Sequence, residues 1–234
     1  MPVSIISSNQ ESGRLSRSQV NELIDLDRYP IDQLESGAGR DLINICHNNL
    51  ATQAIALLPG FIRPSAISGM AEEAQDLIDQ AYRYDQPRVA FYEHPNHHHR
   101  AHDGDGWSTL RSKRHPNRYC QILNYQIPNN SNLRAIYLWP KLTEFVRRVL
   151  DVNRLYPSVC PHLALTMKVA FEGDLDGWHY DPNDGVITLM LQPSESGGEF
   201  EYAPYIRNEQ EENYTGVKRL FDSPDTEAQR IKLE

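Results

Sequence analysis

Two residues with side chains suited to metal binding stand two positions apart in the segment Gly177-Trp178-His179-Tyr180-Asp181-Pro182-Asn183. Residues two apart in an extended chain project to the same face, so His179 and Asp181 can direct an imidazole nitrogen and a carboxylate oxygen at one point. Such a pair is two-thirds of the two-histidine, one-carboxylate arrangement that binds iron(II) and leaves coordination positions open. A purely structural hydrogen bond between Asp and His is the common alternative for an isolated pair.

The segments around this pair have the pattern of strands. An alternating apolar run predicts a strand from His162 to Phe171, and a short turn at Glu172-Gly173 leads from it into the motif. A second, strongly apolar strand is predicted from Val186 to Leu191. The glycine pair Gly197-Gly198 separates that strand from an extended run at Glu199–Tyr202. Strands at this spacing favour an antiparallel barrel or sandwich.

This order of strand, turn, His-x-Asp, strand and Gly-Gly-Glu-apolar resembles the double-stranded β-helix of the iron(II)- and 2-oxoglutarate-dependent oxygenases, over roughly Leu163 to Tyr202. The segment Leu58-Pro59-Gly60-Phe61-Ile62, followed by a helix, resembles the entry to that domain in many members. The tract from Gly198 to Tyr202, with Pro204 and Arg207, is similar to the group that acts on free amino acids. The resemblance implies an α+β fold with a jelly-roll, cupin-like core and N-terminal helices.

Helical spacing of apolar residues precedes the first strand. It predicts helices around Val20–Leu26, Leu42–Leu57 and Met70–Ala81, and a later helix over Leu133–Leu150 whose second section opens at Pro140. We therefore expect residues 1–60 to form an N-terminal helical extension. Residues 61–234 are expected to form the oxygenase barrel domain, incomplete at its C-terminus.

The chemistry that the resemblance implies is hydroxylation of an unactivated C–H bond of a small molecule, with a free amino acid as the expected substrate. Fe(II), 2-oxoglutarate as cosubstrate and O₂ are the implied cofactors. The halogenases of this group have a small residue where this chain has Asp181, so the retained carboxylate favours hydroxylation. A halogenase or desaturase of the same family, and a cupin-like barrel that binds a small molecule without catalysis, remain open alternatives.

Three residues are candidates for binding the cosubstrate. Side-chain alternation along the strand after the motif places Thr188 where it could hydrogen-bond 2-oxoglutarate, with Gln192 next along the same face. Arg207 is a candidate for a carboxylate of substrate or cosubstrate, because its planar fork binds carboxylates in bidentate fashion. A surface salt bridge is an equally open interpretation of Arg207.

Three aromatic residues are candidates for contacting the substrate. Phe171 and Trp178 flank the turn into the motif and could line the cavity, although aromatic residues in strands more often serve packing. Trp107 ends a polar, histidine-rich stretch that starts at His94. Polar segments of this kind often gate active sites, so the stretch is a candidate substrate lid.

The second histidine of the implied family is not found in its usual place. In the family it lies several tens of residues after His-x-Asp, and an arginine for 2-oxoglutarate follows it. No histidine follows His179 in this sequence. After a helix-like stretch over Asn208–Phe221, the last residues from Gln229 onward resemble the beginning of the strand that would carry the histidine. We therefore expect this sequence to be a segment of a longer chain.

Composition excludes several other classes. The formal charge of −9 opposes binding to a phosphate backbone, so nucleic acid is not an expected partner. The three cysteines form no CxxC pair, which disfavours a zinc ribbon or a disulfide framework. No apolar run is long enough for a membrane span and no signal pattern opens the chain, which favours a cytoplasmic location. The sequence gives no prediction of oligomeric state.

Overall fold

A computed structural model of the chain describes residues 15–91, 107–181, 185–206 and 213–233. The helices of this part of the chain are α1 (Arg17–Leu23), α2 (Gly37–Gln53), α3 (Pro64–Leu77), α4 (Trp107–Ser112), α5 (Asn132–Tyr137), α6 (Pro140–Val149), α7 (Tyr214–Asp222) and α8 (Pro224–Glu227). The strands are β1 (Tyr82–Asp85), β2 (Arg88–Val89), β3 (Arg114–His115), β4 (Asn117–Ile122), β5 (Met167–Val169), β6 (Leu175–Asp176), β7 (Phe200–Tyr202) and β8 (Gln229–Ile231).

The helices begin where their sequences supply a cap or a proline. Ser16 and Ser36 each accept a hydrogen bond from the backbone N–H three residues on, which satisfies a free donor in the first turn of α1 and of α2. Pro64 and Pro140 open α3 and α6, where a missing N–H costs nothing. The four predicted helical regions are thereby confirmed, including the start of α6 at Pro140.

One hydrophobic core joins the N-terminal helices to the sheet. The buried side chains of this core pack against one another and come from α1, α2, α3, α5, α6, β4, β5 and their connections. The least exposed of them are Val20, Ile24, Leu26, Ile31, Cys46, Met70, Ile122, Ile127 and Ile136. None of the helices in the described ranges combines the length and apolar character needed to cross a bilayer.

Strand β4 is the centre of the largest sheet. Strand β1 pairs with one edge of β4, while β5 and β6 both pair antiparallel with the other edge. The chain from Met167 to Asp176 therefore runs back along β4, interrupted by a turn at residues 171–174. Strands β2 and β3 form a separate antiparallel pair, and so do β7 and β8. The predicted mixture of α and β structure is confirmed, with small antiparallel sheets.

Two strand predictions need correction. Of the run from His162 to Phe171 only Met167–Val169 is a strand, because the carbonyls of Pro161 and His162 accept hydrogen bonds from the turn at residues 124–125 instead of a ladder partner. The stretch from Val186 to Leu191 is not a strand in the structure. Val186 and Ile187 are exposed, and no described strand pairs with this stretch, which a β conformation would require for its backbone groups.

Candidate functional site

The turn that leads into the motif is fixed by one enclosed carboxylate. Asp174, whose side chain is 2% exposed, accepts two hydrogen bonds from Arg83, at 2.7 and 2.5 Å, and a third from Nε of Arg118 at 3.2 Å. The backbone N–H of Phe171 donates to the same carboxylate. These hydrogen bonds, led by those from Arg83, lower the pKa of Asp174 to about 2. The turn is thus tied to β1 and β4 ahead of the motif.

Gly177 lets the motif approach β3 closely. A Cβ at this position would lie 2.7 Å from Cβ of His115 and closer still to the carbonyl oxygen of Pro116. Real Cβ atoms essentially never come so near another atom, so only glycine fits here without a backbone shift. The preceding residue, Asp176, is held in register opposite Asn117. The motif therefore starts from a position set by the end of β3 and the beginning of β4.

The side chains of His179 and Asp181 meet. Nε2 of His179 lies 3.4 Å from Oδ1 of Asp181, with the imidazole 22% and the carboxylate 50% exposed. On the other side of the ring, Nδ1 lies 2.7 Å from the carbonyl oxygen of Gly177. Because a carbonyl can only accept, Nδ1 must carry a hydrogen. In the neutral ring Nε2 then bears a lone pair.

This geometry sets two acceptors against each other. An ionised carboxylate has no hydrogen to donate, so the lone pair of His179 and the oxygen of Asp181 repel unless a cation or a second ring proton lies between them. Metal-bound histidines commonly donate their other ring N–H to a backbone carbonyl, as His179 does to Gly177. Nitrogen and oxygen ligands bind divalent metals at about 2.0–2.2 Å, so the 3.4 Å separation is short enough for both to reach one ion.

A charged network surrounds the protonated side of the imidazole. Oδ1 of Asp176 lies 4.0 Å from Nδ1 of His179 and 3.6 Å from Nη1 of Arg88. The other oxygen of Asp176 accepts a hydrogen bond from Lys168, whose ammonium also lies 4.4 Å from the ring centroid of Tyr119. Two cations, Arg88 and Lys168, therefore share Asp176, the carboxylate that lies on the Nδ1 side of His179.

The middle residue of the motif anchors it to Ala90, which directly follows β2. The N–H of Tyr180 donates to the carbonyl of Ala90 at 3.0 Å, and its ring packs 5.7 Å from that of Phe91. Phe91, Ala90 and Val217 form a second apolar cluster, against which Tyr180 lies partly buried. A cleft of about 450 Å³ opens beside this contact, lined by Pro87, Arg88, Val89, Ala90, Phe91, Arg114 and Tyr180.

The ligand pair is not completed within the described part of the chain. Among residues 15–91, 107–181, 185–206 and 213–233, no three His, Cys, Asp or Glu side chains come together in a group that could hold a metal ion. Comparison with protein-family models, curated proteins and solved structures gives no match to this chain. The geometry of the pair is thus the observation on which a functional proposal must stand.

The remaining predicted residues that the structure describes differ in their exposure. Trp178 is half-buried within the motif. Phe171 is 54% exposed in the turn before β6, because its backbone is turned by the hydrogen bond to Asp174. Thr188 and Gln192 are both exposed in the stretch after the motif, and the structure gives neither a hydrogen bond to His179 or Asp181.

Two further predictions fall outside what the structure describes. Arg207 lies in the undescribed range 207–212, and nearly all of the candidate lid from His94 lies in the undescribed range 92–106. Trp107, at the end of that lid, begins helix α4, and only its backbone is described. The roles of Arg207 and Trp107 remain predictions.

Sequence reasoning missed the partners of the motif. Asp176, Arg88 and Phe91 all contact it or its immediate neighbours. Asp176 could have been found, because it stands three residues before His179 in a turn-rich segment. Arg88 and Phe91 gave no signal, since they reach the motif through a two-residue ladder that no local pattern predicts.

Proposed function

We propose that the protein is a non-haem iron(II), 2-oxoglutarate-dependent oxygenase that hydroxylates an unactivated C–H bond of a small molecule, with a free amino acid as substrate. The observation that carries the proposal is the 3.4 Å approach of Nε2 of His179 to Oδ1 of Asp181, with Nδ1 held by a backbone carbonyl. A structural Asp–His hydrogen bond would need a protonated ring, whereas a bound metal ion accounts for both acceptors and for the fixed tautomer.

In this proposal His179 and Asp181 hold the metal, and Gly177 and Asp176 hold His179. The carbonyl of Gly177 keeps the ring hydrogen on Nδ1, so that Nε2 is free to bind. The metal, once bound, supplies the chemistry of coupling decarboxylation of 2-oxoglutarate to oxygenation of the substrate. The chain's own residues would fix the ligand directions and place one C–H bond beside the metal.

The finer fold belongs to the same proposal. We assign the region around the motif to a double-stranded β-helix, supported by the antiparallel course of β5 and β6 along β4 and by the pairing of β7 with β8. The third metal ligand would come from outside the described residues. Asp181 supports hydroxylation over halogenation, because its carboxylate occupies the position that a halogenase leaves free for halide.

The test is metal-dependent turnover by the full-length gene product. The purified protein is loaded anaerobically with Fe(II), mixed with 2-oxoglutarate and a panel of amino acids, and exposed to O₂. Succinate release and a product heavier by one oxygen are expected. Chloride is included, so that a chlorinated product would instead identify a halogenase.

Two substitutions and two matched controls isolate the ligand pair. His179→Gln and Asp181→Asn should abolish turnover and weaken Fe(II) binding. His162→Gln and Asp151→Asn make the same chemical changes at exposed positions away from the motif and should leave both intact. Full Fe(II) affinity in His179→Gln would refute the proposal, and a protein that binds an amino acid but releases no succinate would be a binding module instead.

A further inference from the structure

The outer side of strand β1 is open. The strand pairs with β4 on one side, and no strand among the described residues pairs with it on the other. All four of its residues, Tyr82–Asp85, are exposed. A row of unpaired N–H and C=O groups along such an edge is a template for the addition of another strand.

The ladder with β4 determines which backbone groups of β1 point outward. Gln86 continues the register opposite Asn117 and donates its N–H to the carbonyl of Asn117 at 3.2 Å. Hydrogen-bonded and non-hydrogen-bonded pairs alternate along an antiparallel ladder, so Tyr84 also bonds to β4. Arg83 and Asp85 therefore direct their N–H and C=O groups to the open side.

The charges of these two outward residues are complementary to those of a second, antiparallel copy of β1. If Arg83 lay opposite the partner's Arg83, or Asp85 opposite the partner's Asp85, like charges would face each other and oppose pairing. If Arg83 lies opposite the partner's Asp85, opposite charges face each other, and two-fold symmetry makes this contact twice.

Both charged side chains are available for that contact. Asp85 is exposed and forms no ion pair with any residue in the described ranges. Arg83 is 43% exposed and donates to Asp174 through Nη1 and Nη2, so the hydrogen on Nε is left for another acceptor.

The same register brings tyrosine rings together on the other face of the strand. Tyr84 would lie opposite the partner's Tyr84 in a non-hydrogen-bonded pair, where opposed side chains approach most closely. Its side chain is 45% exposed, and its ring already stacks on Tyr119 at 5.5 Å with an interplanar angle of 7°. Aromatic pairs across strands stabilise a sheet, so pairing two copies would join two such stacks.

We propose that β1 is a self-association edge, at which a second copy of the chain adds its own β1 antiparallel with Arg83 opposite Asp85. The four-stranded sheet would then continue across a two-fold axis into the partner. An isologous contact of this kind uses the same edge on both subunits, so it closes at a dimer. The proposal does not depend on the metal ligands, because β1 contributes none of them.

The neighbours of β1 limit the length of the joint ladder. In this register Ala81 would lie opposite the partner's Pro87, but the N–H of Ala81 already donates to the carbonyl of Ile78 and proline has no N–H. The intersubunit hydrogen bonds are thus confined to Arg83 and Asp85, and the expected dimer is reversible.

Sedimentation equilibrium of the full-length gene product tests the association, at concentrations from micromolar to millimolar and low ionic strength. The wild type should form a dimer in a concentration-dependent way. Asp85→Arg sets two arginines against each other at both symmetric contacts, so it should weaken dimerisation at least tenfold. Asp76→Arg makes the same charge change at an exposed position of α3 and should leave the dimer unchanged. Circular dichroism verifies that both variants are folded.

A cysteine cross-link tests the register. Opposed Cα atoms in a non-hydrogen-bonded pair lie about 4.5 Å apart, within the range of about 4.4–6.8 Å that a disulfide spans. Tyr84→Cys should therefore cross-link two copies under mild oxidation. Tyr82→Cys, on the same face but opposite the partner's Gln86, should cross-link far less. The wild-type chain is the baseline for its own three cysteines.

Three results would overturn the proposal. A wild type that stays monomeric throughout would leave this edge to a strand of another protein. A dimer that Asp85→Arg does not weaken would use another surface. Equal cross-linking of Tyr84→Cys and Tyr82→Cys, or none above the baseline, would exclude the register.

Discussion

Replacing Gly177 by alanine tests whether the position of the motif backbone sets the metal site. The added Cβ would lie 2.7 Å from Cβ of His115, while carbon atoms in contact prefer about 3.5–4.0 Å. The backbones must therefore separate by about 1 Å. Metal–ligand distances tolerate only about 0.2 Å, so His179, two residues on and hydrogen-bonded to the Gly177 carbonyl, should lose its alignment with Asp181.

The expected result of Gly177→Ala is a combined loss. Forcing an extra carbon into a tight contact costs about 1–3 kcal/mol, which should appear in urea unfolding. Divalent metal affinity, measured by anaerobic titration with Fe(II), should fall at least tenfold.

Gly39→Ala is the matched control for this experiment. Gly39 lies in the first turn of α2, and a Cβ added there would lie 2.7 Å from Cα of Leu34. The steric penalty is therefore similar to that at Gly177, but it arises far from the motif. The control variant should lose comparable stability and keep its metal affinity. Suppose that the two variants are equally destabilised and bind Fe(II) with the same affinity. The position of the backbone at Gly177 then does not control the geometry of His179 and Asp181, and the reasoning is refuted.

Three other perturbations have defined outcomes. Asp174→Asn should cost about 1–3 kcal/mol at neutral pH, because Arg83 loses its bidentate carboxylate. The pKa of Asp174 is lowered to about 2, so its stabilisation is complete above roughly pH 4 and is lost as pH falls toward 2; the variant should show a shallower acid loss in urea titrations. Phe91→Ala should cost about 3 kcal/mol and weaken metal binding through Tyr180, whereas Phe91→Leu should do neither strongly. Ile24→Ala, fully buried in the main core, should cost about 2–5 kcal/mol in thermal unfolding without altering metal affinity in the folded state.

Local patterns were sufficient for the helices and for the ligand pair. Ser36, Pro64 and Pro140 mark helix starts through backbone chemistry that lies within one turn, so no tertiary information is needed. The two-residue spacing of His179 and Asp181 likewise predicted that their side chains meet, and they do, at 3.4 Å.

Long-range contacts were beyond the sequence. The exposed Val186 and Ile187 have the alternation and β-branching of a strand, but a strand also needs a partner, which no local pattern supplies. Arg88 and Asp176 are 88 positions apart in number yet lie 3.6 Å from each other, because β2–β3 and β6 are brought together by β4. Local sequence patterns therefore could not predict the cleft, because its lining residues are brought together by long-range strand pairing.

The hydrogen bond from the N–H of Tyr180 to Ala90 gives the ligand pair an internal reporter. That amide can exchange with deuterium only when the segment between His179 and Asp181 detaches from Ala90. In the absence of metal, the protection factor of this amide therefore measures how often the segment that carries the ligand pair opens. Slower exchange of the same amide after a cation is added would indicate that the cation binds to the pair.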